Sequence, residues 1–581
     1  MYVLGLNIGH NATAALIKDG QLIACVSEER FSRIKNHTGI PFKSIEYVLS
    51  FAGIKIGDLD LIVLDDHYPI YKRPDFGKQF LEAYTKKTKK RRFLSAMGYS
   101  FPNLFKLYLN LREPIKINNK INFRNALKTE LSRIFNFPRE KVLTIYHHQA
   151  HAFSVIQNIP KNEKGLIFTL DGEGSGTCAK VSVFDKGNVR CISRTHKSAS
   201  LGYLYAIATM YLGMKPLEHE FKVMGLAPYA KEYSVKKIYD ELKKVIWIKK
   251  DLSFGSSFNM PFADLFFHKE MKYSRFDNIA GAVQRLTEDL TLKWIAMAIK
   301  KTGISRIALS GGVFMNVKAN QKIAEMPEVK KIFVMPSCGD EANAIGCAIF
   351  GYKQLYKNKN RDYNLKSIYD LYLGPEYSDK DIRKFIEDNK VKQKYYVKKI
   401  SNINKKIAQL LASGEIVARC SGRSEWGARA LGNRSILANP SHPDTIKILN
   451  ETIKDRDFWM HFTPSILDKF EKKYVVNPKK IFAPYMAITF NSTSLAKEHL
   501  PAAMHPYDTT LRPQVVTRDY NSDYYEIIEE FSKLTGIGGI LNTSFNLHGE
   551  PNVLSPEDAL HTVENSSLKY LAMGSYLLEK K

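Results

Sequence analysis

The sequence predicts an α/β protein in two parts: an N-terminal portion built by internal duplication, and a C-terminal α/β domain of ~210 residues. Three observations predict it. A three-strand meander at the N-terminus recurs at residues 166–195. Each copy is followed by helical segments and further apolar strands, as a repeated unit requires. A composition shift near 352–374 then precedes a fresh succession of amphipathic helices and strands.

In the first copy, VLGLNI is an apolar strand, a Gly-His-Asn turn holds His10, and ATAALI and QLIACVS flank Asp19-Gly20 as a hairpin. The second copy, LIFTLDGEGSGTCAKVSVFDKGNVRCISRT, turns at Asp171-Gly172 and again at Lys186-Gly187. Asn7 and Asp171 occupy matching places. RIALSGGVFMNVKANQKI is a buried strand running into Gly311-Gly312 and then a helix, where glycines let a flat ligand such as adenosine approach the backbone. Beyond the shift, DIRKFIEDNK and NKKIAQLLASG read as helices and EIVARC as a strand. Two similar lobes facing across a cleft, each aiming turn N–H groups at phosphates, resemble the actin/Hsp70/sugar-kinase (ASKHA, RNase H-like) superfamily.

Composition excludes several classes. With 44% hydrophobic and 25% charged residues the chain is neither disordered nor fibrous. No apolar stretch reaches ~18 residues, so no transmembrane segment is expected. The N-terminus reads as a strand rather than a signal peptide. Six scattered cysteines without a C-x-x-C exclude a disulfide framework and suit a reducing cytoplasm. The net charge of +27 is the unusual quantity, and residues 72–141 hold 18 Lys/Arg against 5 Asp/Glu. This segment reads as an insertion outside either catalytic centre, either a solvated basic face or a landing surface for a polyanion.

The sharpest local feature is Tyr146-His147-His148-Gln149-Ala150-His151, behind the apolar KVLTIY. On a helix starting near His147, His147 and His151 lie at i and i+4 and can hold one divalent metal. The alternative is a polar helix start with internally satisfied histidines. Asp340 in MPSCGDEANAIGCAI opens a Gly/Ala-rich helix, where its carboxylate can cap or complete the ligand set. His10 and Asp171 line the same cleft. In the C-terminal domain, Arg423, Arg429 and Arg434 alternate with Gly, Ala and Asn, and Lys454, Arg456 and Arg512 follow. Guanidinium forks so spaced suit phosphate or carboxylate oxygens. The strand GIGGILNTSFN ends in Asn542, Ser544 and Asn546, small donors and acceptors at a common ligand position.

The ordered set HHQAHA, DGEGSG, LGYLYAIATMYLG, EFKVMGLAPYA, SGGVFMN, CGDEANAIG, GRSEWGARALGNRSIL, RPQVV and LNTSFNLHGEP resembles the NodU/CmcH family of O-carbamoyltransferases over nearly the full length. The resemblance implies a carbamoyl-transfer domain over 1–360 and a YrdC-like domain over 370–581. In the latter, ATP and carbamoyl phosphate, with Mg2+ able to accompany ATP, would form carbamoyl-adenylate on the arginine, lysine and NTSFN residues. A divalent metal, iron(II) in the family, would sit on His147, His151 and Asp340. Gly311, Gly312 and Asn316 would face the nucleotide, and Glu220 and Lys222 the acceptor. His10 or Asp171 would take the acceptor hydroxyl's proton, with His10 preferred as base and Asp171 as positioner. The implied acceptor is a sugar hydroxyl of a glycan or a secondary metabolite, with no specific nucleic acid as partner; a homodimer is compatible with the chain. One departure stands out. Where relatives read R-E-x-F-R-P-F-A-P, this chain has Met460-His461, lacking a guanidinium. A tRNA-modifying or RNA-binding protein is the competing reading, favoured by charge but lacking an RNA-binding motif. A sugar kinase would leave the C-terminal arginines unexplained.

Overall fold

The computed structural model describes residues 1–66, 96–97, 100–101, 124–358, 363–454 and 456–581. Most of the basic segment 72–141 lies outside them. The described chain is mixed α/β and forms two compact units, one of residues 1–28 and 36–368, the other of residues 29–35 and 369–581. Among the described residues, no helix is long and apolar enough to cross a membrane.

The first unit contains two five-stranded sheets of the same design. In one, β1 (Tyr2–Asn7) pairs antiparallel with β2 (Thr13–Lys18), which pairs with β3 (Gln21–Ser27). On its other edge β1 runs parallel to β4 (Leu61–Asp65), and β4 to β5 (Val142–Ile145). In the other, β6 (Gly165–Gly174), β7 (Thr177–Asp185) and β8 (Asn188–His196) form the meander. After a short hairpin, β9 (Ile246–Ile248) and β10 (Phe254–Ser256), the parallel strands β11 (Arg306–Ser310) and β12 (Lys331–Val334) complete that second sheet beside β6. The sheets share one strand order, so the duplication read from the meanders extends to their parallel strands.

The three turn assignments fare differently. Asp19-Gly20 and Lys186-Gly187 both have positive φ and join hairpins as expected. Asp171-Gly172 does not turn. β6 continues to Gly174 with a shifted register after Leu170, and the positive-φ pair is Ser175-Gly176. Asp171 is therefore held within a strand. The linker expected from 352–374 is also partly regular, because the helix Glu341–Asn358 runs into it.

That helix explains its own glycines and alanines. A Cβ on Gly346 would come 1.9 Å from Ala150 O in the helix His147–Phe153. The small residues let two backbones touch and so set the height of Asp340 over the histidines. Gly346→Ala should push the helices apart, costing about 1–3 kcal/mol by overpacking. A lower thermal midpoint together with weakened metal binding would check this.

The second unit is built on an eight-stranded mixed sheet. Its central strands are Val417–Cys420, Arg434–Ala438, Gly539–Ser544 and Thr463–Leu467. Ile436, Leu541, Phe462 and Phe545 pack into one core with the helix Pro556–Glu564. The arginine-rich loop joins the first two of these strands, and the NTSFN residues end the third. The sheet thus brings distant sequence motifs to one end of its interior strands.

Candidate functional site

The first site forms where β5 hands over to the helix His147–Phe153. The His147 backbone N–H donates to Asp66 Oδ1 at 2.9 Å, so an acidic side chain receives the first orphan amide of that helix. Asp66 also pairs with Ser175 and Arg124. His147 Nδ1 meets Asp65 Oδ2 at 2.9 Å, and Asn343 Nδ2 donates to the same oxygen at 3.2 Å. A proton on Nδ1 leaves Nε2 as the lone-pair nitrogen, facing Asp340 Oδ1 at 3.4 Å. His151 Nε2 lies 3.2 Å from Asp171 Oδ2 and 3.6 Å from Asp340 Oδ1, while its Nδ1 is 3.2 Å from Ser310 Oγ. One ligand atom from each of His147, His151, Asp171 and Asp340 falls within 4.8 Å of the others.

This arrangement fits a divalent cation. His151 Nε2 is buried and makes no hydrogen bond. Burial opposes a proton on His147, yet the Asp340 and Asp65 carboxylates hold its pKa well above the ordinary histidine value. His151 is raised as well: burial lowers it, but Asp171 and Asp340 outweigh this. A pocket that draws protons onto buried imidazoles also attracts a metal ion. Its nitrogen and carboxylate donors are compatible with iron(II), zinc or manganese and select none of them. His148 is different. Its ring bonds Thr169 Oγ1 and Thr177 O, and burial beside His147 and His151 keeps it neutral.

The second site is cationic. Lys454, 3% exposed, donates to Ser544 O, to Asn546 O at 3.1 Å and to Asn546 Oδ1 at 2.9 Å. Arg456 Nη2 donates to Thr543 Oγ1 at 3.1 Å, and its guanidinium lies 4.9 Å from the Phe462 ring centroid. Arg512 Nε is buried without a hydrogen bond. Burial, then Arg429 and Arg456, hold Arg512 well below the ordinary arginine range. Burial and Arg429 push Arg456 down to about 10. Lys454 is lowered by burial, Arg456 and Lys35. Among the described residues no carboxylate pairs with Lys454, Arg456 or Arg512. Crowded, desolvated cations of this kind are stabilised by an anionic ligand. Asn542 precedes Thr543 on the strand Gly539–Ser544; its Nδ2 donates to Ala430 O at 3.1 Å and Ser465 Oγ at 3.0 Å, and its Oδ1 is buried without a hydrogen bond.

The Carbamoyltransferase N-terminus family model matches residues 2–349, and the Carbamoyltransferase C-terminus model matches residues 408–580. The chain belongs to the carbamoyltransferase family. An uncharacterized protein of Synechocystis sp. is 30% identical, covering 100% of this chain and 97% of that one. Nodulation protein NolNO of Sinorhizobium fredii is 28% identical, covering 98% of this chain and 79% of its own length. Among solved structures, full-length HypF in its phosphate- and nucleotide-bound form matches loosely, at 15% identity and a TM-score of 0.35, over 61% of this chain and 55% of that one.

This carbamoyltransferase places its remaining sequence-predicted residues unevenly. Arg434 donates to the carbonyls of Leu554, Ser421, Gly422, Asn433 and Pro375. Arg423 donates to Gly374 O and Leu373 O. Both hold the arginine loop together, apart from the Arg429, Arg456 and Arg512 group. Gly311, at φ 104°, abuts the Leu170 backbone, and Gly312 N–H donates to Asp171 Oδ2 at 2.9 Å. Asn316 caps the helix Val317–Glu325 and bonds Gln284. Glu220 accepts the Leu217 N–H at 2.7 Å, and burial pushes its pKa up to about 7; Lys222 follows on the same helix, Glu220–Leu226. His10 lies in the β1–β2 turn, where its carbonyl accepts from Asn7 Nδ2, and is outside the four-residue cluster. At the departure, Met460 is buried and His461 packs edge-on to His505, ring centroids 5.1 Å apart.

The sequence reading missed Asp65, Asn343 and Glu425. Two acids ending the apolar strand LIVLDD were a signal for the first. Glu425, 2% exposed, accepts the N–H groups of Leu431, Asn433 and Arg434 on one oxygen and so folds the arginine loop.

Proposed function

We propose that this carbamoyltransferase is ATP-dependent and carries two active sites. The 370–581 portion, read as YrdC-like, forms carbamoyl-adenylate from carbamoyl phosphate and ATP. The 1–360 portion, read as actin-like, transfers the carbamoyl group to an acceptor hydroxyl of a sugar or a secondary metabolite. The observation that carries this reading is the pair of buried guanidinium groups Arg456 and Arg512, crowded by Arg429, with the buried, unbonded Asn542 Oδ1 one residue before Arg456's partner Thr543. Phosphate oxygens suit the guanidinium groups, and a carbamoyl NH2 suits the lone acceptor. Mass balance consumes one water: phosphate and pyrophosphate leave, and a carbamate oxygen joins the α-phosphorus.

At the transfer site His147, His151 and Asp340 would hold the divalent metal, with Asp171 beside them. When bound, such an ion supplies positive charge against departing AMP. Asp171 already receives the Gly172 and Gly312 amides, which supports it as positioner, and His10 is assigned the acceptor's proton. The test is incubation with labelled carbamoyl phosphate, ATP and candidate acceptors, read by mass spectrometry. The expected products are carbamoylated acceptor and AMP without ADP. Production of ADP, or label transfer without ATP, would contradict the reading.

A further inference from the structure

Residues 29–35 come from the first meander's side of the sequence but pack with the C-terminal unit. Arg30 is 5% exposed and donates Nη2 to Gly427 O at 2.8 Å, in the loop that carries Arg429. Its Nη1 is also buried and makes no hydrogen bond, so this guanidinium keeps a donor in reserve. Arg33, with φ 58°, donates Nη1 to Asn552 O at 2.7 Å and Nη2 to Pro551 O at 2.8 Å. Its Nε lies 3.5 Å from Asp558 Oδ1. Asn552 in turn donates Nδ2 to Arg434 O, at the far end of the arginine loop. Pro551 and Asn552 lie shortly after Asn542, Ser544 and Asn546. One short segment thus grips both stretches of chain that bear the cationic site.

We propose that this segment is a strap belonging to the C-terminal anion site. Arg30 and Arg33 are positioning residues that fix the spacing of its two loops. The inference rests on the anion-binding reading given above and extends it to residues some 400 positions away in sequence. The physical case is that Arg30 and Arg33 donate to backbone carbonyls of both stretches, so removing either guanidinium frees one loop to move relative to the other.

The test uses the full chain carrying Arg33→Ala, Arg33→Lys, Arg30→Lys or, as reference, Arg429→Ala. Adenylate formation is followed with ATP and carbamoyl phosphate varied in turn. Arg33→Ala should lower kcat/KM by about tenfold or more, with partial recovery in Arg33→Lys and no change in metal content. Arg30→Lys keeps the charge and loses the fork, and should lower kcat/KM about three- to tenfold. Should Arg33→Ala fail to fold, the two lysine variants decide. An undiminished kcat/KM in folded Arg33→Ala, or in both lysine variants, beside a defective Arg429→Ala would overturn the strap proposal while leaving the anion site standing. An undiminished Arg429→Ala would instead remove the reading beneath it.

Discussion

His151→Ala is expected to yield a protein without bound metal and without acceptor carbamoylation, while carbamoyl-adenylate still forms. The expectation follows from geometry. His151 Nε2 is a buried nitrogen without a hydrogen bond, converging with His147, Asp171 and Asp340. Loss of an outer partner such as Asp65 typically costs 10–100-fold in metal affinity, and loss of a ligand is expected to exceed that. Metal analysis of the purified variant, with AMP release measured in parallel, is the check. Stoichiometric metal in His151→Ala would remove the ligand assignment. Asp65→Asn provides the graded control, because it keeps the shape and removes the charge that sets the His147 tautomer.

Arg429→Ala produces the opposite pattern. Arg429 stands close enough to Arg456 and Arg512 to lower the pKa of both. Removing one charge-assisted contact to a phosphate in such a setting costs about 1.5–3 kcal/mol, or roughly ten- to a hundredfold in carbamoyl-adenylate synthesis. Metal content is expected to stay unchanged. Synthetic carbamoyl-adenylate supplied from solution should rescue transfer in Arg429→Ala and not in His151→Ala. The four combinations of variant and supplement form one experiment. Equal rescue of both variants would sink the division of labour between the two sites.

Much of this molecule was legible before folding. Local chemistry sets the hairpins at Asp19-Gly20 and Lys186-Gly187, which take positive φ between apolar runs, so both meanders were visible in the sequence. Helical periodicity alone puts His147 and His151 on one face. Asp340 was legible as opening a Gly/Ala-rich helix, and the structure adds that Gly346 of that helix packs against Ala150. The order of motifs along the chain was enough to indicate the carbamoyltransferase family.

What the sequence by itself determined, then, was which side chains share a face and which segments are strand, turn or helix, because these depend on neighbours within a few residues. Which partner each polar group meets was decided only by tertiary structure. His148 is as histidine-like as its neighbours, yet its ring turns to Thr169 and Thr177 while theirs converge on Asp340. Arg434 and Arg429 look alike in GARALGNR, yet one is bound to five carbonyls and the other stands among cations. Asp171 looked like a turn residue until the strand register carried it beside His151. Arg30 and Arg33 gave no sign of belonging to a site hundreds of residues away. In each case the deciding quantity is a contact between segments remote in sequence, and hydrogen bonds of a few ångströms are fixed only once the sheets have brought those segments together.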